Sequence, residues 1–177
     1  MHEKLKFEQI KKDSCASLRY DYSSLYPKDE MPLHFHPEIE ICYVVKGSGY
    51  RMMGDFLEPF EEGEVVLVPT NQPHCWMYNP ESCEPDGKRQ CIVVQFNPDL
   101  LQAGLSFFTE WEYAAHRLSA IQQGILLTGR TAGKIKSCRH IRQDTHHNEL
   151  CNPQPKCTEG QCIQTFLHNL FNLSVFP

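Results

Sequence analysis

Residues 34–47, with the sequence HFHPEIEICYVVKG, constrain the fold and the chemistry of this chain more than any other stretch. The second half of the stretch is dense in β-branched and aromatic residues, which predicts a β-strand. Because side chains alternate between the two faces of a strand, His34, His36 and Glu40 are expected to share one face. That face becomes apolar at Cys42. The stretch therefore predicts a surface that is ionisable at one end and apolar at the other.

A third histidine, His74, ends a second stretch, residues 63–74, which reads GEVVLVPTNQPH. Two imidazoles and a carboxylate on one face, joined by an imidazole from another strand, are a typical donor set for a transition metal. The alternative is that these side chains face water at the end of a strand. Pro37 could also introduce a bulge that breaks the alternation. The pattern alone leaves these interpretations open.

The region around these stretches has the pattern of an all-β domain. Residues 4–96 contain about nine short strand-like runs, separated by turns every eight to twelve residues, which is typical of an antiparallel sandwich or barrel. No helical period occurs among them, so the predicted fold class is mainly β. The clearest predicted strands are residues 4–10, 17–23, 39–45, 50–53, 56–60, 64–68, 74–78 and 90–96.

Beyond residue 97 the apolar spacing becomes helical. Residues 99–105 and 106–118 are predicted helices, residues 125–128 form a short apolar run, and residues 131–136 begin a further helix. We therefore divide the chain into a β-barrel (1–97), a helical extension (98–136) and a tail (137–177).

The tail differs from the rest of the chain in composition. Residues 137–162 contain almost no large apolar side chains, and we expect them to be the least ordered part of the protein. Residues 163–171 return to amphipathic spacing, which predicts a terminal helix. A frameshift in the gene would produce such an abrupt change, and a poorly ordered connector is the alternative.

Composition limits the classes of function. The net charge is −5, and residues 1–97 hold 10 Lys and Arg against 16 Asp and Glu, which argues against a phosphate-binding surface there. The N-terminus lacks an apolar segment, so we expect a cytoplasmic protein. There are nine cysteines, which are expected to be thiols in that compartment. Cys42 and Cys91 lie in apolar runs and are predicted to be buried.

The first stretch resembles the first cupin motif at every spacing, through His34, His36, Glu40 and Gly47. The second stretch resembles the second cupin motif in Gly63, Pro69 and His74. It departs from that motif at Asn71, where cupins have Gly, and at Tyr78, where they have Asn. The resemblance implies a double-stranded β-helix (jelly-roll) barrel, with His34, His36, Glu40 and His74 as the metal ligands.

The sequence of residues 31–76 and the helical region that continues to about residue 136 resemble the N-terminal sensor domain of AraC-type bacterial transcription regulators. In that family the barrel binds a small effector, often a sugar, and the following helices form a homodimer. Two helix-turn-helix motifs near the C-terminus bind DNA. This chain has no room for them after residue 136, so we expect no sequence-specific DNA binding by this chain alone.

We therefore expect a sensing domain rather than an enzyme. The resemblance leaves open whether a metal is bound; a bound metal would be one divalent transition-metal ion (Zn, Fe, Ni or Mn). The effector is expected near four further residues: Tyr43, Arg51, Trp76 and Tyr78. Core packing is the alternative for each of them. The alternative function is a small metal-dependent cupin enzyme, an isomerase or an oxygenase, that uses the same histidines and glutamate.

Overall fold

The computed structural model describes residues 5–11, 18–105 and 112–137. In these ranges the chain forms ten strands and three α-helices, so the predicted mainly β class is confirmed. The strands are β1 (Lys6–Phe7), β2 (Leu18–Leu25), β3 (His34–Phe35), β4 (Ile39–Lys46), β5 (Gly49–Met53), β6 (Phe56–Phe60), β7 (Val65–Val68), β8 (His74–Tyr78), β9 (Arg89–Phe96) and β10 (Ile125–Leu127). The helices are α1 (Asp99–Leu105), α2 (Glu112–Ser119) and α3 (Gly129–Ser137).

The strands form two five-stranded sheets. Sheet A has the order β1-β3-β8-β5-β6, and sheet B has the order β10-β7-β4-β9-β2. The chain crosses between the sheets after β1, β2, β3, β4, β6, β7 and β8. Pairing is antiparallel throughout except between β1 and β3. This repeated crossing between two antiparallel sheets is a jelly roll, as predicted.

An apolar cluster fills one part of the barrel interior. Its members are buried residues from both sheets, and Cys42 and Val44 of β4 lie among them. Glu40 is next on the same face of β4, because alternate residues of a strand point the same way. The predicted change along this face, from ionisable to apolar, is therefore present. The cluster comprises Cys42, Val44, Met53, Phe60, Val66, Val68, Trp76, Tyr78 and Cys91.

The chain leaves one sheet and enters the other between β3 and β4. β3 ends at Phe35 and β4 begins at Ile39, so a single strand does not carry His34, His36 and Glu40, as the alternation argument assumed. Pro37 lies in the break, where its lack of a backbone N–H costs no ladder hydrogen bond. The break lets His34 belong to sheet A while Glu40 belongs to sheet B.

The residues that the structure describes up to Leu127 belong to one compact unit, and those from Thr128 to Ser137 belong to a second. The division of the chain at residue 97 stays a prediction. The first unit extends beyond residue 97 because Ile125–Leu127 adds to sheet B as β10, antiparallel to β7. The predicted helices at 99–105 and 131–136 are present as α1 and α3, and α2, Glu112–Ser119, overlaps the predicted 106–118 helix.

None of the helices in the described ranges is long and apolar enough to cross a membrane. The predicted poorly patterned tail and its terminal amphipathic helix lie outside the described residues, apart from Ser137, which ends α3. Cys42 and Cys91 are buried free thiols, as predicted.

Candidate metal centre

Three histidines meet inside the barrel. His34 begins β3 and pairs with His74, the first residue of β8, while His36 lies just after β3. The ring centroids are 4.2 Å apart for His34 and His74, 5.1 Å for His36 and His74, and 5.9 Å for His34 and His36. One nitrogen of each ring lies within 4.8 Å of the others. The predicted convergence of the three rings is therefore present.

Glu40 completes the set from the opposite sheet. Its Oε2 lies 3.1 Å from Nε2 of His36 and 3.8 Å from Nε2 of His74. The first separation is a hydrogen bond, whereas the second is too long for one and is electrostatic. All four side chains are buried, and His74 is fully inaccessible to solvent. The strand-end alternative, with these side chains in water, is therefore wrong.

The orientation of each imidazole is fixed by the backbone. Nδ1 of His34 donates to the carbonyl of Pro32 at 2.8 Å, and Nδ1 of His74 donates to that of Gln72 at 2.8 Å. Nδ1 of His36 donates to the carbonyl of Glu38 at 3.1 Å. A hydrogen bond from one ring nitrogen to a carbonyl sets the tautomer and leaves the other nitrogen as a metal ligand. Each ring therefore presents Nε2 to the centre, where a metal ion could bind it; at His36 the ion would replace the proton that Nε2 shares with Glu40.

Electrostatics inside the site follow from burial and from the Glu40 carboxylate. Burial, together with the nearby His74, lowers the pKa of His34 to about 4, so this ring is neutral at neutral pH. Burial also acts to lower the pKa of His36, but its contact with Glu40 outweighs that effect and the pKa is raised. For Glu40, burial acts to raise the pKa, and the histidines more than offset it, holding the pKa well below its usual range.

The residues fit a transition-metal ion. Nε2 of His74 is buried and has no hydrogen-bond partner among the described residues, an arrangement that costs about 1–3 kcal/mol when nothing compensates it. An ion held by imidazole nitrogens at about 2.0–2.1 Å would satisfy that lone pair and those of the other two rings. Imidazoles with one carboxylate suit zinc, iron, nickel or manganese.

A row of polar side chains across sheet B holds Glu40 in place. Gln95 of β9 is directly opposite Glu40, and its Nε2 donates to Oε2 of Glu40 at 2.7 Å. Arg19 of β2 is directly opposite Gln95 on the other side, and its Nη1 donates to Oε1 of Gln95 at 3.1 Å. The Arg19 contact fixes which way the Gln95 amide faces. Sequence reasoning missed Gln95, although an amide that directly follows the apolar residues 91–94 was a usable signal.

A second carboxylate reaches the site from the N-terminal strand. Oε2 of Glu8 lies 3.5 Å from Nε2 of His34, and Oε1 lies 3.9 Å from Nη1 of Arg19. Burial raises the pKa of Glu8, against the lowering effect of His36 and Arg19. No feature of the sequence around Glu8 distinguishes it from an ordinary surface glutamate, so the sequence could not have identified it.

The four predicted effector contacts separate into different environments. Tyr43 lies on the opposite face of β4 from Glu40, so it does not line the interior beside the histidines. Arg51 does face inward, but its guanidinium is paired with Glu58 and Glu64. The role of these two residues as effector contacts stays a prediction, although alternation turns Tyr43 away from the histidines and ion pairs hold Arg51.

The other two predicted contacts, Trp76 and Tyr78, follow His74 on the inner face of β8. The Trp76 ring lies 5.5 Å from the His74 ring, and its Nε1 has no hydrogen-bond partner among the described residues. Tyr78 packs edge-on against Phe60 at 4.9 Å, deeper in the apolar cluster. Of these four residues, Trp76 is therefore the one that lies beside the candidate metal centre and has an unpartnered hydrogen-bond donor, its indole N–H.

The match to known families agrees with the fold. Residues 22–84 match the family model for the cupin domain. This part of the chain is therefore similar to the cupin domain, and its two-sheet jelly roll is the fold that the resemblance implied. No curated protein matches the chain. The AraC-type resemblance is not addressed by these comparisons and stays a prediction.

Several solved structures are similar to this chain. A cupin 2 conserved barrel domain protein from Rhodopseudomonas palustris is 15% identical, with 49% of this chain and 57% of that chain covered and a TM-score of 0.39. An RmlC-like cupin from Methanocaldococcus jannaschii is 17% identical over 54% of this chain and 96% of that one, with a TM-score of 0.38. A mutant oxalate decarboxylase from Bacillus subtilis is 21% identical over 58% and 29%, with a TM-score of 0.39. The chain thus spans little more than half of the first of these proteins.

Proposed function

We propose that the barrel binds one divalent transition-metal ion through His34, His36, His74 and Glu40, and uses it to hold a small-molecule effector. The observation that carries this proposal is the set of three Nδ1–carbonyl hydrogen bonds, which directs the three Nε2 atoms into one buried space. Such preorganised imidazoles are the usual support of a metal site.

The bound ion would supply Lewis acidity, polarising and orienting a hydroxyl or carboxylate oxygen of the effector. Trp76 would add specificity, because its unpartnered Nε1–H is a donor for an oxygen or nitrogen of the same molecule. An indole face beside the site also suits a sugar ring. Glu40 would balance part of the positive charge of the ion.

The sensing role rests on the AraC-type resemblance. In that assignment the barrel is the effector-binding part of a cytoplasmic bacterial regulator, and α1 and α2 belong to the region that forms a homodimer. DNA would be bound only through a helix-turn-helix domain outside this chain. An acidic barrel accords with this division, since phosphate contacts require basic residues.

A metal-dependent enzyme, an isomerase or an oxygenase, is the second candidate. The observation in its favour is Glu8, a partly exposed carboxylate beside the histidines that could transfer protons to and from a bound substrate. Conversion of a sugar or diol in the presence of metal, lost in the His36→Ala variant, would favour this candidate over the sensor.

The proposal is tested by loading metal-free protein with a panel of Zn²⁺, Fe²⁺, Ni²⁺ and Mn²⁺ and measuring thermal unfolding. We expect stabilisation by at least one ion in the wild-type protein and none in the His36→Ala and His74→Ala variants. His116, an exposed histidine of α2, provides the matched control, and His116→Ala should respond as the wild type does. Equal stabilisation of all four proteins would contradict the proposal.

The effector is tested on the metal-loaded protein with a panel of sugars. Binding to the folded state alone stabilises it by about 2.7 kcal/mol at a hundredfold excess over Kd. A sugar that stabilises the loaded protein but not the metal-free protein would support metal-assisted binding. Stabilisation of the same size in both would show that the ion has no part in holding it.

A further inference from the structure

The N-terminal strand β1 is attached to the sheet edge directly beside the metal centre. Its backbone follows β3 in parallel, with Lys6 opposite His34 and Phe7 opposite Phe35. The amide of Glu8 then donates to the carbonyl of Phe35 at 3.0 Å. The rings of Phe7 and Phe35 meet edge-on at 5.4 Å on one face, so the side chain of Glu8 is directed to the other face.

Glu8 lies on the side of His34 that faces the centre. Nδ1 of His34 donates to the carbonyl of Pro32, so Nε2 is the ring nitrogen left for a metal. Oε2 of Glu8 lies 3.5 Å from that nitrogen. This separation is close to that of two neighbouring ligands bound to one ion at about 2.1 Å.

The two carboxylates approach the histidines from different positions. Glu40 of sheet B lies against His36 and His74, whereas Glu8 lies against His34. Arg19 forms an ion pair with Glu8. It donates to Gln95, which in turn donates to Glu40. A divalent ion between the carboxylates would bring the local charge of ion and ligands to zero, which lowers the cost of burying them.

From these contacts we infer that Glu8 is a fifth protein ligand of the bound ion, delivered by the N-terminal strand. This inference rests on the proposed metal-binding function and adds one ligand to it. Five protein ligands, two of them oxygen donors, leave one position of an octahedral ion for an external molecule. Such a mixed set favours six-coordinate ions such as Mn²⁺ or Fe²⁺ over four-coordinate zinc.

The test compares the full-length wild-type protein with its Glu8→Gln variant, which keeps the size of the side chain and removes its charge. Two properties are measured: affinity for Mn²⁺ by competition with a chelator, and the visible absorption of the Co²⁺-loaded protein, whose intensity rises as coordination number falls. We expect Glu8→Gln to lose at least about tenfold in affinity, since even partners that only orient a ligand contribute tenfold to a hundredfold. Its Co²⁺ absorption should become more intense.

Two further variants make the result specific. Glu62→Gln removes an exposed carboxylate that pairs with Lys46 at the β6–β7 turn, and it should match the wild type in both measurements. Glu8→Asp keeps the charge but shortens the reach, and it should also weaken Mn²⁺ binding. Thermal unfolding of each metal-free variant verifies that the barrel is intact.

The outcomes separate this inference from the proposed function. If His74→Ala abolishes metal binding while Glu8→Gln leaves affinity and absorption unchanged, Glu8 is not a ligand and the four-residue site stands. If Glu8→Gln weakens affinity without altering the Co²⁺ spectrum, Glu8 acts only through its charge and the assignment as a ligand is overturned. If the wild-type protein binds no metal, both the proposed function and this inference fail.

Discussion

At the scale of single residues, the centre depends as much on supporting contacts as on ligands. Gln95 is not one of the proposed ligands, yet its Nε2 donates to Glu40 at 2.7 Å and lies 3.4 Å from Nε2 of His36, and its Oε1 accepts from Arg19 at 3.1 Å. The amide thus selects one position for the carboxylate oxygen that faces His36. Contacts of this kind determine the orientation of a ligand before an ion arrives.

Replacing Gln95 should therefore weaken metal binding although it is not a ligand. We predict that Gln95→Ala lowers metal affinity about tenfold to a hundredfold, because Glu40 loses its only amide donor among the described residues. A chelator-competition titration measures this. Gln90→Ala, on the same strand but with an exposed contact to Tyr22, is the control and should leave the affinity unchanged. Equal affinities for Gln95→Ala and the wild type would contradict the supporting role.

Asn71 shows how one departure from the cupin motif is accommodated. It is the one residue other than glycine with a positive φ among the described residues, at 58°. Asparagine tolerates this left-handed region better than other residues with a Cβ, so it can replace the usual glycine. The backbone N–H of Asn71 also donates to the carbonyl of His36 at 2.8 Å, which connects this turn to the candidate metal centre.

The backbone conformation at Asn71 leads to a stability prediction. Asn71→Gly should change the free energy of unfolding little, whereas Asn71→Val should lower it by about 1–3 kcal/mol, because a β-branched residue is strained at positive φ. Urea unfolding of both variants provides the measurement. A valine variant as stable as the glycine variant would show that this turn relaxes without cost.

At the scale of elements, the β4–β5 connection explains the glycine of the first motif. Gly47 has φ +112°, and a Cβ there would lie 2.7 Å from Cδ1 of Tyr78. Both the backbone and the neighbouring ring therefore require glycine. Gly49 is equally restricted, since a Cβ would lie 2.0 Å from the carbonyl oxygen of Met77.

We predict that Gly47→Ala destabilises the protein by about 2–4 kcal/mol, from backbone strain and displacement of the Tyr78 ring together. Gly133→Ala is the control, because Gly133 lies within α3 with nothing within 4 Å of its Cβ position. That variant should be neutral or slightly stabilised, as expected for alanine in a helix. A Gly47→Ala protein that unfolds at the wild-type denaturant concentration would contradict the argument.

The sequence predicted elements well where the apolar alternation is local. The strands at 56–60 and 74–78 and the helix at 99–105 have the predicted bounds. It failed where an element depends on distant partners: the short run at 125–128 contains β10, whose place is set by the edge of β7. The same distinction applies to the site residues. His34, His36, Glu40 and His74 were identified from the spacing of the motifs. Glu8 and Gln95 were not, because their positions depend on strand pairings that no local sequence pattern reveals.

At the scale of the whole molecule, the metal centre links the two sheets. His34 and His74 belong to sheet A, and Glu40 belongs to sheet B. An ion held by all of them would oppose separation of the two sheets, which share the apolar cluster. Metal binding should therefore stabilise the barrel as a unit, in addition to ordering its own ligands.

We predict that saturating metal raises the melting temperature by roughly 5–11 °C at a hundredfold excess over Kd, from about 2.7 kcal/mol of stabilisation in a domain of this size. Removal of the ion with a chelator should reverse the change. Differential scanning calorimetry gives both values. A shift confined to a minor, separate transition would mean that the ion is bound outside the barrel.

The most direct test of the central claim is the position of the ion itself. Crystals of the metal-loaded protein, measured at the absorption edge of that metal, should show one strong anomalous peak at about 2.0–2.2 Å from Nε2 of His34, His36 and His74. The Nδ1 atoms should remain hydrogen-bonded to the carbonyls of Pro32, Glu38 and Gln72. A peak located elsewhere, or an ion bound through Nδ1, would contradict the account.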